Sequence, residues 1–263
     1  LSSIAAVSRF SVTTTPEGSS SGVAIEVHGG EIKSVKDAPS RGTSIEVWDL
    51  FFNTPARKKF LKKESTELLH IVETVTQLSL SHPAIRFVMK ADGQEVLNLP
   101  RATGVRQRLI QIYGFEFIEG LVEAKKESED LKFEAFISKP ENVRATRSHQ
   151  YVFVNRRPVR EPIVSHALYS TYEGITAGEA HPVYFVFLDV HPGKVDFNVH
   201  PAKREVRFED REILYGFLKR GFMDVIRAKC RPQEAGTIVP VNVDFVSPRT
   251  YGQFVSETVP LDY

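Results

Sequence analysis

The sequence is poor in cysteine. Cys230 is the only one in 263 residues, so neither an intramolecular disulfide framework nor a cysteine-rich zinc site can be built, and a reducing compartment fits best. Long apolar runs are missing as well: the densest, Val183 to Leu188, is strand-length and ends at Asp189, whereas a membrane helix needs about 18 residues. Neither sign of charge dominates, since 34 Lys and Arg stand against 33 Asp and Glu, and net charge alone therefore predicts no polyanionic partner. No basic segment leads into an apolar stretch at the N-terminus, so no secretory signal is visible. The common catalytic signatures are absent too: there is no Gly-x-x-x-x-Gly-Lys-Ser/Thr phosphate loop, no Gly-x-Gly-x-x-Gly and no His-Glu-x-x-His. What remains is an ordinary globular composition, 41% hydrophobic and 25% charged with 16 Gly and 15 Pro, which excludes collagen-like and globally disordered classes. The length allows one large domain or two modest ones.

Periodicity divides the chain. Phe10, Val12 and Thr14 alternate with polar neighbours, Val23, Ile25 and Val27 repeat that period of two, and Gly29-Gly30 supplies a hairpin turn. A strand follows Gly42-Thr43, with Ile45 and Val47 on one face, and leads to Asn53-Thr54-Pro55, where Pro55 suits the first position of a helix. Ser65 to Leu80 carries Leu68, Val72, Val75 and Leu78 at helical spacing, and Arg86 to Leu99 turns at Asp92-Gly93 as a hairpin. Pro100-Arg101-Ala102 marks a boundary. Beyond it the sequence predicts a helix from Val105 to Tyr113 stopped by Gly114, an alternating strand over Leu131 to Ile137, and a short strand over Tyr151 to Val154. A helix from Pro162 to about Tyr172, a central strand over Val183 to Val190, an alternating stretch Val195 to Val199 and a last helix reaching Lys229 complete a βαβ-containing unit. The proline-broken remainder, residues 231–263, reads as a linker or tail. Leu1 is not Met, and Leu1-Ser-Ser-Ile-Ala-Ala-Val reads as the end of a helix, so the chain is expected to be cut from something longer.

Isolated reactive residues carry little. Cys230 beside Arg231 reads as a small hydrophobe at a helix end, and His181, His191 and His200, each next to a proline, read as turn residues with structural or solvent roles. Basic clusters carry more. Arg57, Lys58, Lys59, Lys62 and Lys63 fall within seven residues free of acid, and residues 139–160 hold Lys139, Arg144, Arg147, Arg156, Arg157 and Arg160 against Glu141 alone, a local net charge of +5 with Tyr151 and Phe153 interleaved.

Three longer stretches stand out: Gly42 to Leu61 (Gly-Thr-Ser-Ile-Glu-Val-Trp-Asp-Leu-Phe-Phe-Asn-Thr-Pro-Ala-Arg-Lys-Lys-Phe-Leu), Val152 to Val159 (Val-Phe-Val-Asn-Arg-Arg-Pro-Val) and Val195 to Phe208 (Val-Asp-Phe-Asn-Val-His-Pro-Ala-Lys-Arg-Glu-Val-Arg-Phe). In this order they resemble the MutL family of DNA mismatch repair proteins, and the resemblance runs from Leu1 to about Lys229. It implies an α+β architecture: residues 1–99 as the latter part of an α/β sandwich ATPase domain of the gyrase, Hsp90, histidine kinase and MutL (GHKL) type, and residues 100–230 as a ribosomal protein S5-like domain. The family's general-base Glu and Asn helix, Asp-Asn-Gly-x-Gly loop and Gly-Phe-Arg-Gly-Glu-Ala segment have no match here, so the resemblance implies no ATP hydrolysis by this chain alone, with ATP and Mg2+ belonging to the intact protein. Gly42 and Thr43 match the family's fourth ATPase motif, and Lys203 matches a lysine that reaches the γ-phosphate from the second domain.

The same resemblance implies DNA contact through Lys58, Lys59, Lys62, Lys63, Arg144, Arg147, Arg156, Arg157 and Arg160. Its implied partners are a mismatch-recognition protein of the MutS type, a downstream repair nuclease or helicase, and a second subunit in a nucleotide-dependent homodimer or heterodimer, with no membrane. A bacterial source would place it in the cytoplasm at the nucleoid. A gyrase-B-like topoisomerase module and a non-catalytic nucleic-acid-binding module are the competing readings.

Overall fold

The computed structural model describes residues 1–176, 181–197 and 206–229. Its contacts divide the chain into one unit from Leu1 to Ile71 and a second from Val72 onward.

The first unit is built on a four-stranded antiparallel sheet. Its strands are β1 (Arg9–Thr15), β2 (Val23–His28), β3 (Glu31–Asp37) and β4 (Gly42–Trp48), in the order β3-β2-β1-β4. The expected Gly29-Gly30 turn joins β2 to β3, and both glycines have positive φ, as a two-residue hairpin with the right-handed twist of its strands requires. Register places Phe10, Val12 and Thr14 opposite Val27, Ile25 and Val23 on one side and Val47, Ile45 and Thr43 on the other, so the alternation seen in the sequence becomes one apolar sheet face. A one-turn helix, α1 (Ser2–Ala5), precedes the sheet, and α2 (Pro55–Lys58) follows it with Pro55 at its start. The long helix α3 (Glu64–Ser81), whose residues from Val72 onward belong to the second unit, carries Glu64 and Glu67 in its first turn, where carboxylates meet the positive end of the dipole.

The second unit contains the β5 (Phe87–Ala91) and β6 (Gln94–Leu99) hairpin, which turns at Asp92-Gly93 as expected, then α4 (Val105–Tyr113) and α5 (Phe115–Glu119). Gly114 ends α4 with φ of 90°, open to glycine and costly to other residues. A five-stranded sheet follows, of β7 (Leu121–Glu127), β8 (Leu131–Ser138), β9 (Gln150–Val154), β10 (Arg157–Val159) and β11 (Tyr184–Val190), in the order β10-β9-β11-β8-β7. β11 is its central strand, antiparallel to β8 and parallel to β9, and α6 (Pro162–Tyr172) makes the crossover, so the expected βαβ unit is present. A pair of two-residue strands, β12 (Val195–Asp196) and β13 (Arg207–Phe208), precedes α7 (Arg211–Lys229).

Two cores enclose the sheet. Val186 and Leu188 pack with Val164 and Leu168 of α6 and Leu214, Leu218 and Phe222 of α7. Phe185, from the other face of the same strand, packs with Leu109 and Ile112 of α4 and with Leu97 and Leu99 of β6. A strand buried on both faces loses alternation, which is why Val183 to Leu188 reads as an unbroken apolar run. Packing thus groups the β5–β6 hairpin with the elements that follow it, while the division at residue 99 stays a proposal about modules.

Candidate functional site

In the first unit, Gly42 opens β4, an edge strand whose residues are all exposed. Its φ of 73° lies in the left-handed region, and among the described residues no atom stands within 4 Å of where a Cβ would be, so the position needs glycine for its backbone. Thr43 lies opposite Thr14, and their hydroxyls bond at 2.8 Å. Two hydroxyls bonded to each other use one of their two hydrogens, so the pair keeps one donor for an incoming oxygen. Across from Gly42, Thr15 Oγ1 is buried without a partner among the described residues. An open backbone, a spare hydroxyl donor and an orphan hydroxyl fit the edge of a phosphate-bearing ligand. Among the described residues no group of three His, Cys, Asp or Glu side chains could hold a metal ion. Lys203, Cys230 and His200 lie outside the described residues.

The first basic run follows a tightly built turn. Asp49 and Phe51 have φ of 50° and 65°, Phe51 N–H donates to Val7 O at 2.7 Å, and Asn53 Nδ2 donates to Ala6 O at 3.0 Å. Arg57, Lys58, Lys59, Lys62 and Lys63 beyond it are exposed, and among the described residues none has a carboxylate within ion-pairing distance.

In the second unit the structure separates the expected cations. β9 and β10 are joined by the two residues Asn155 and Arg156, with φ of 47° and 64°. Asn155 is clamped: its Nδ2 donates to Val190 O at 2.9 Å and its Oδ1 accepts from Val190 N at 2.8 Å, which fixes the hairpin tip to the end of the central strand. Arg156 stands exposed at that tip. Arg157 is exposed with its guanidinium 4.8 Å from the centre of the Phe197 ring, which orients the side chain while leaving its N–H edge available. Arg147 and Arg160 are exposed.

Arg144 is placed differently. It is half-buried, donates to Ser148 Oγ at 3.3 Å and lies 5.8 Å from the centre of the Phe117 ring, and burial lowers its pKa. Its charge is held by packing.

The aromatic residues expected to interleave with these cations face inward. Phe153 stacks on Phe187 at 4.7 Å and Tyr151 on Phe185 at 5.3 Å, because residues 151 and 153 share the face of β9 turned to the α4 and α5 core. Tyr151 OH donates to Glu73 Oε2 at 3.1 Å, and burial first, then the neighbouring Tyr113 and Glu73, raises its pKa. Sequence reading also missed His149. It has φ of 54°, an Nδ1 without a partner among the described residues, and its ring packed edge-on to Tyr113 at 5.1 Å and tilted against Phe117 at 5.6 Å. Burial, reinforced by the Arg144 charge, lowers its pKa to about 4. No periodic signal marks such a residue, and its position becomes visible only when α4, α5 and the loop before β9 come together. Of the expected turn histidines, His181 Nδ1 bonds Tyr169 OH at 2.9 Å and His191 Nδ1 accepts from Gly193 N at 3.2 Å, both structural roles.

Comparison with known proteins gives a consistent picture. A family profile described as "DNA mismatch repair protein, C-terminal domain" matches residues 109–227. The DNA mismatch repair protein MutL of Thermodesulfovibrio yellowstonii is 36% identical over 259 residues, covering 98% of this chain and 47% of that protein. The MutL protein of Christiangramia forsetii is 38% identical over 221 residues, covering 83% of this chain and 36% of its own length. The chain therefore spans about half or less of the curated relatives it matches. Among solved structures, the ATPase domain of Aquifex aeolicus MutL superposes with a TM-score of 0.60 at 26% identity, over 83% of this chain and 77% of that one. The B-subunit of DNA gyrase from Myxococcus xanthus shares the fold at a TM-score of 0.50 and 12% identity, over 85% of this chain and 69% of that one.

Proposed function

Because this chain belongs to the MutL family of DNA mismatch repair proteins, we propose that it carries the DNA-contacting surface, and one edge of the nucleotide site, of an ATP-dependent matchmaker coupling mismatch recognition to downstream repair. The gyrase-like reading rests on fold alone, whereas the MutL relatives match in sequence over most of the chain.

The observation that carries the DNA reading is the β9–β10 tip. A two-residue hairpin that needs positive φ at both positions is commonly made with Asn and Gly, and here the second place holds Arg156, at a cost of about 1 to 2 kcal/mol of backbone strain. The strain sets a cation in solvent on a tip clamped by Asn155, with Arg157 oriented beside it on Phe197. Strain held at a rigid, charged tip is the kind of feature that clusters at binding sites. These groups suit phosphates and leave base identity unread, so binding is independent of sequence. Arg147 and Arg160 extend the surface, Lys58, Lys59, Lys62 and Lys63 provide a second basic patch, and Arg144 acts through Phe117 and the fold.

Gly42 and Thr43 give backbone and hydroxyl contacts to the nucleotide, and Lys203 is assigned to the same ligand by resemblance. ATP, when bound, supplies the phosphoanhydride whose hydrolysis drives the cycle, and this chain's part is to bind and orient it. A MutS-type protein, a nuclease or helicase and a second MutL-type subunit are the partners this reading implies.

Binding of the 263-residue chain to two duplexes of unrelated sequence tests the proposal. Arg156→Glu with Arg157→Glu weakens both by a similar factor, about tenfold or more at low salt. Unchanged affinity, or loss confined to one sequence, contradicts it.

A further inference from the structure

β7 ends one side of the five-stranded sheet, and its outer edge is open. Bonds from Lys139 N–H to Gly120 O at 3.0 Å and from Ser128 N–H to Leu131 O at 2.7 Å fix which residues of the strand turn their backbone to β8: Val122, Ala124 and Lys126. The N–H and C=O groups of Leu121, Glu123, Lys125 and Glu127 therefore point away from the sheet, and among the described residues nothing pairs with them. Lysines commonly blunt such an edge by reaching over it. Here both are drawn onto the faces instead: Lys125 Nζ lies 2.6 Å from Glu123 Oε1 and 3.0 Å from Glu134 Oε1, and Lys126 Nζ lies 3.5 Å from Asp224 Oδ2 of α7. Beside the edge, Ile118, Leu121 and Val122 line a groove rimmed by Arg106 and Lys139. The edge thus suits an added strand with apolar side chains on the Leu121 face.

We infer that residues 241–245 of this same chain add to the sheet as a further strand beside β7. Residues 230–263 lie outside the described residues, and their sequence supplies the argument: Val241, Val243 and Phe245 alternate with Asn242 and Asp244, the period of a half-buried strand. Pro240 has no N–H to donate and falls in step with Asn242 and Asp244. When Val241, Val243 and Phe245 turn their backbone to β7, the proline comes on the outer side, where an edge strand tolerates it. The same register lays the two valines and the phenylalanine on the Leu121 face and Asp244 on the side of Lys126. Reach is sufficient. Asp224 stands at Lys126, Lys229 lies about 7.5 Å farther along α7, and residues 230–240 can bridge about 36 Å. A segment tethered this closely has an effective concentration in the millimolar range, above that of a second copy or a partner strand in dilute solution.

Amide hydrogen exchange of the 263-residue chain, read residue by residue by NMR, tests this. In the parent, the N–H groups of Leu121, Glu123 and Lys125 exchange slowly, as those of Val122 and Ala124 do. Val243→Pro removes a donor aimed at β7 and speeds exchange at Leu121, Glu123 and Lys125 about tenfold or more, while Val122 and Ala124 keep their rates because β8 still holds them. Asn242→Pro, on the outer side, leaves all of these amides within about threefold of the parent. Fast exchange at Leu121, Glu123 and Lys125 in the parent overturns the inference. So does protection that Val243→Pro leaves intact, or that grows with protein concentration, the mark of a second copy on the edge. Acceleration shared equally by Val122 and Ala124 overturns it too, since it reports a loosening of the whole strand. None of these outcomes bears on the DNA reading.

Discussion

At the scale of residues, the second unit holds two side chains at a cost, and the consequences differ. His149 is packed neutral between Tyr113 and Phe117, with a folded pKa of about 4 against an ordinary value near 6.5. Because the folded value is the lower one, the unfolded chain takes up the proton first as pH falls. Stability attached to this residue is full above about pH 6.5, declines through the window down to about 4, and amounts to about 3 kcal/mol at most. Asparagine accepts positive φ and does not titrate, so His149→Asn should flatten that part of the stability curve. Chemical denaturation at pH 7 and pH 4.5 checks this: an equal acid loss in parent and variant would remove His149 from the account. Arg156 is the second case. Replacement by glycine removes the left-handed strain of about 1 to 2 kcal/mol and adds about 0.5 to 1 kcal/mol of unfolded-chain entropy. Arg156→Gly is therefore neutral to stabilising by about 1 kcal/mol while DNA affinity falls. A variant that loses stability and affinity together would show that Arg156 serves the fold.

At the scale of elements, α7 packs so close to β8 that one position admits no side chain. A Cβ on Gly221 would stand 2.4 Å from Cζ and 2.7 Å from Cε1 of Phe133, which is itself fully buried against Phe217 and Phe222. Alanine gains about 1 kcal/mol of helix propensity, but overpacking costs about 1 to 3 kcal/mol, so Gly221→Ala should be net destabilising. Urea denaturation measures the sign, and a more stable variant would contradict the packing described here.

Elements of this kind were legible in part from sequence. The two-residue turns at Gly29-Gly30 and Asp92-Gly93, the helix from Val105 to Tyr113 and the central place of Val183 to Val190 follow from local rules of turn chemistry and periodicity. The five-residue α5 and the strand β7 did not. α5 is shorter than the window that makes a helical period visible, and β7 mixes Lys125, Lys126 and Glu127 into its pattern because it is an edge strand. The basic clusters were legible as charge, but not that Tyr151 and Phe153 turn inward or that Arg144 is held on Phe117. Those outcomes depend on which face of β9 meets α4 and α5, and that is a tertiary fact.

At the scale of the whole molecule, balanced net charge is reconciled with a polyanion partner by where the cations stand. The chain as a whole carries +1, yet residues 139–160 carry +5. With Arg144 withdrawn into the fold and Lys139 partly buried beside Glu141 in sequence, Arg147, Arg156, Arg157 and Arg160 are the exposed cations of this stretch, which corresponds to about four phosphates neutralised. The salt dependence of duplex binding by the 263-residue chain reads out that contribution. The account predicts a negative slope of log K against log salt to which these cations contribute about −3 to −4, and which becomes shallower by about 2 when Arg156 and Arg157 are both replaced by Gln. A slope near zero in the parent, or one the double replacement leaves unchanged, would contradict the assignment of this surface to DNA.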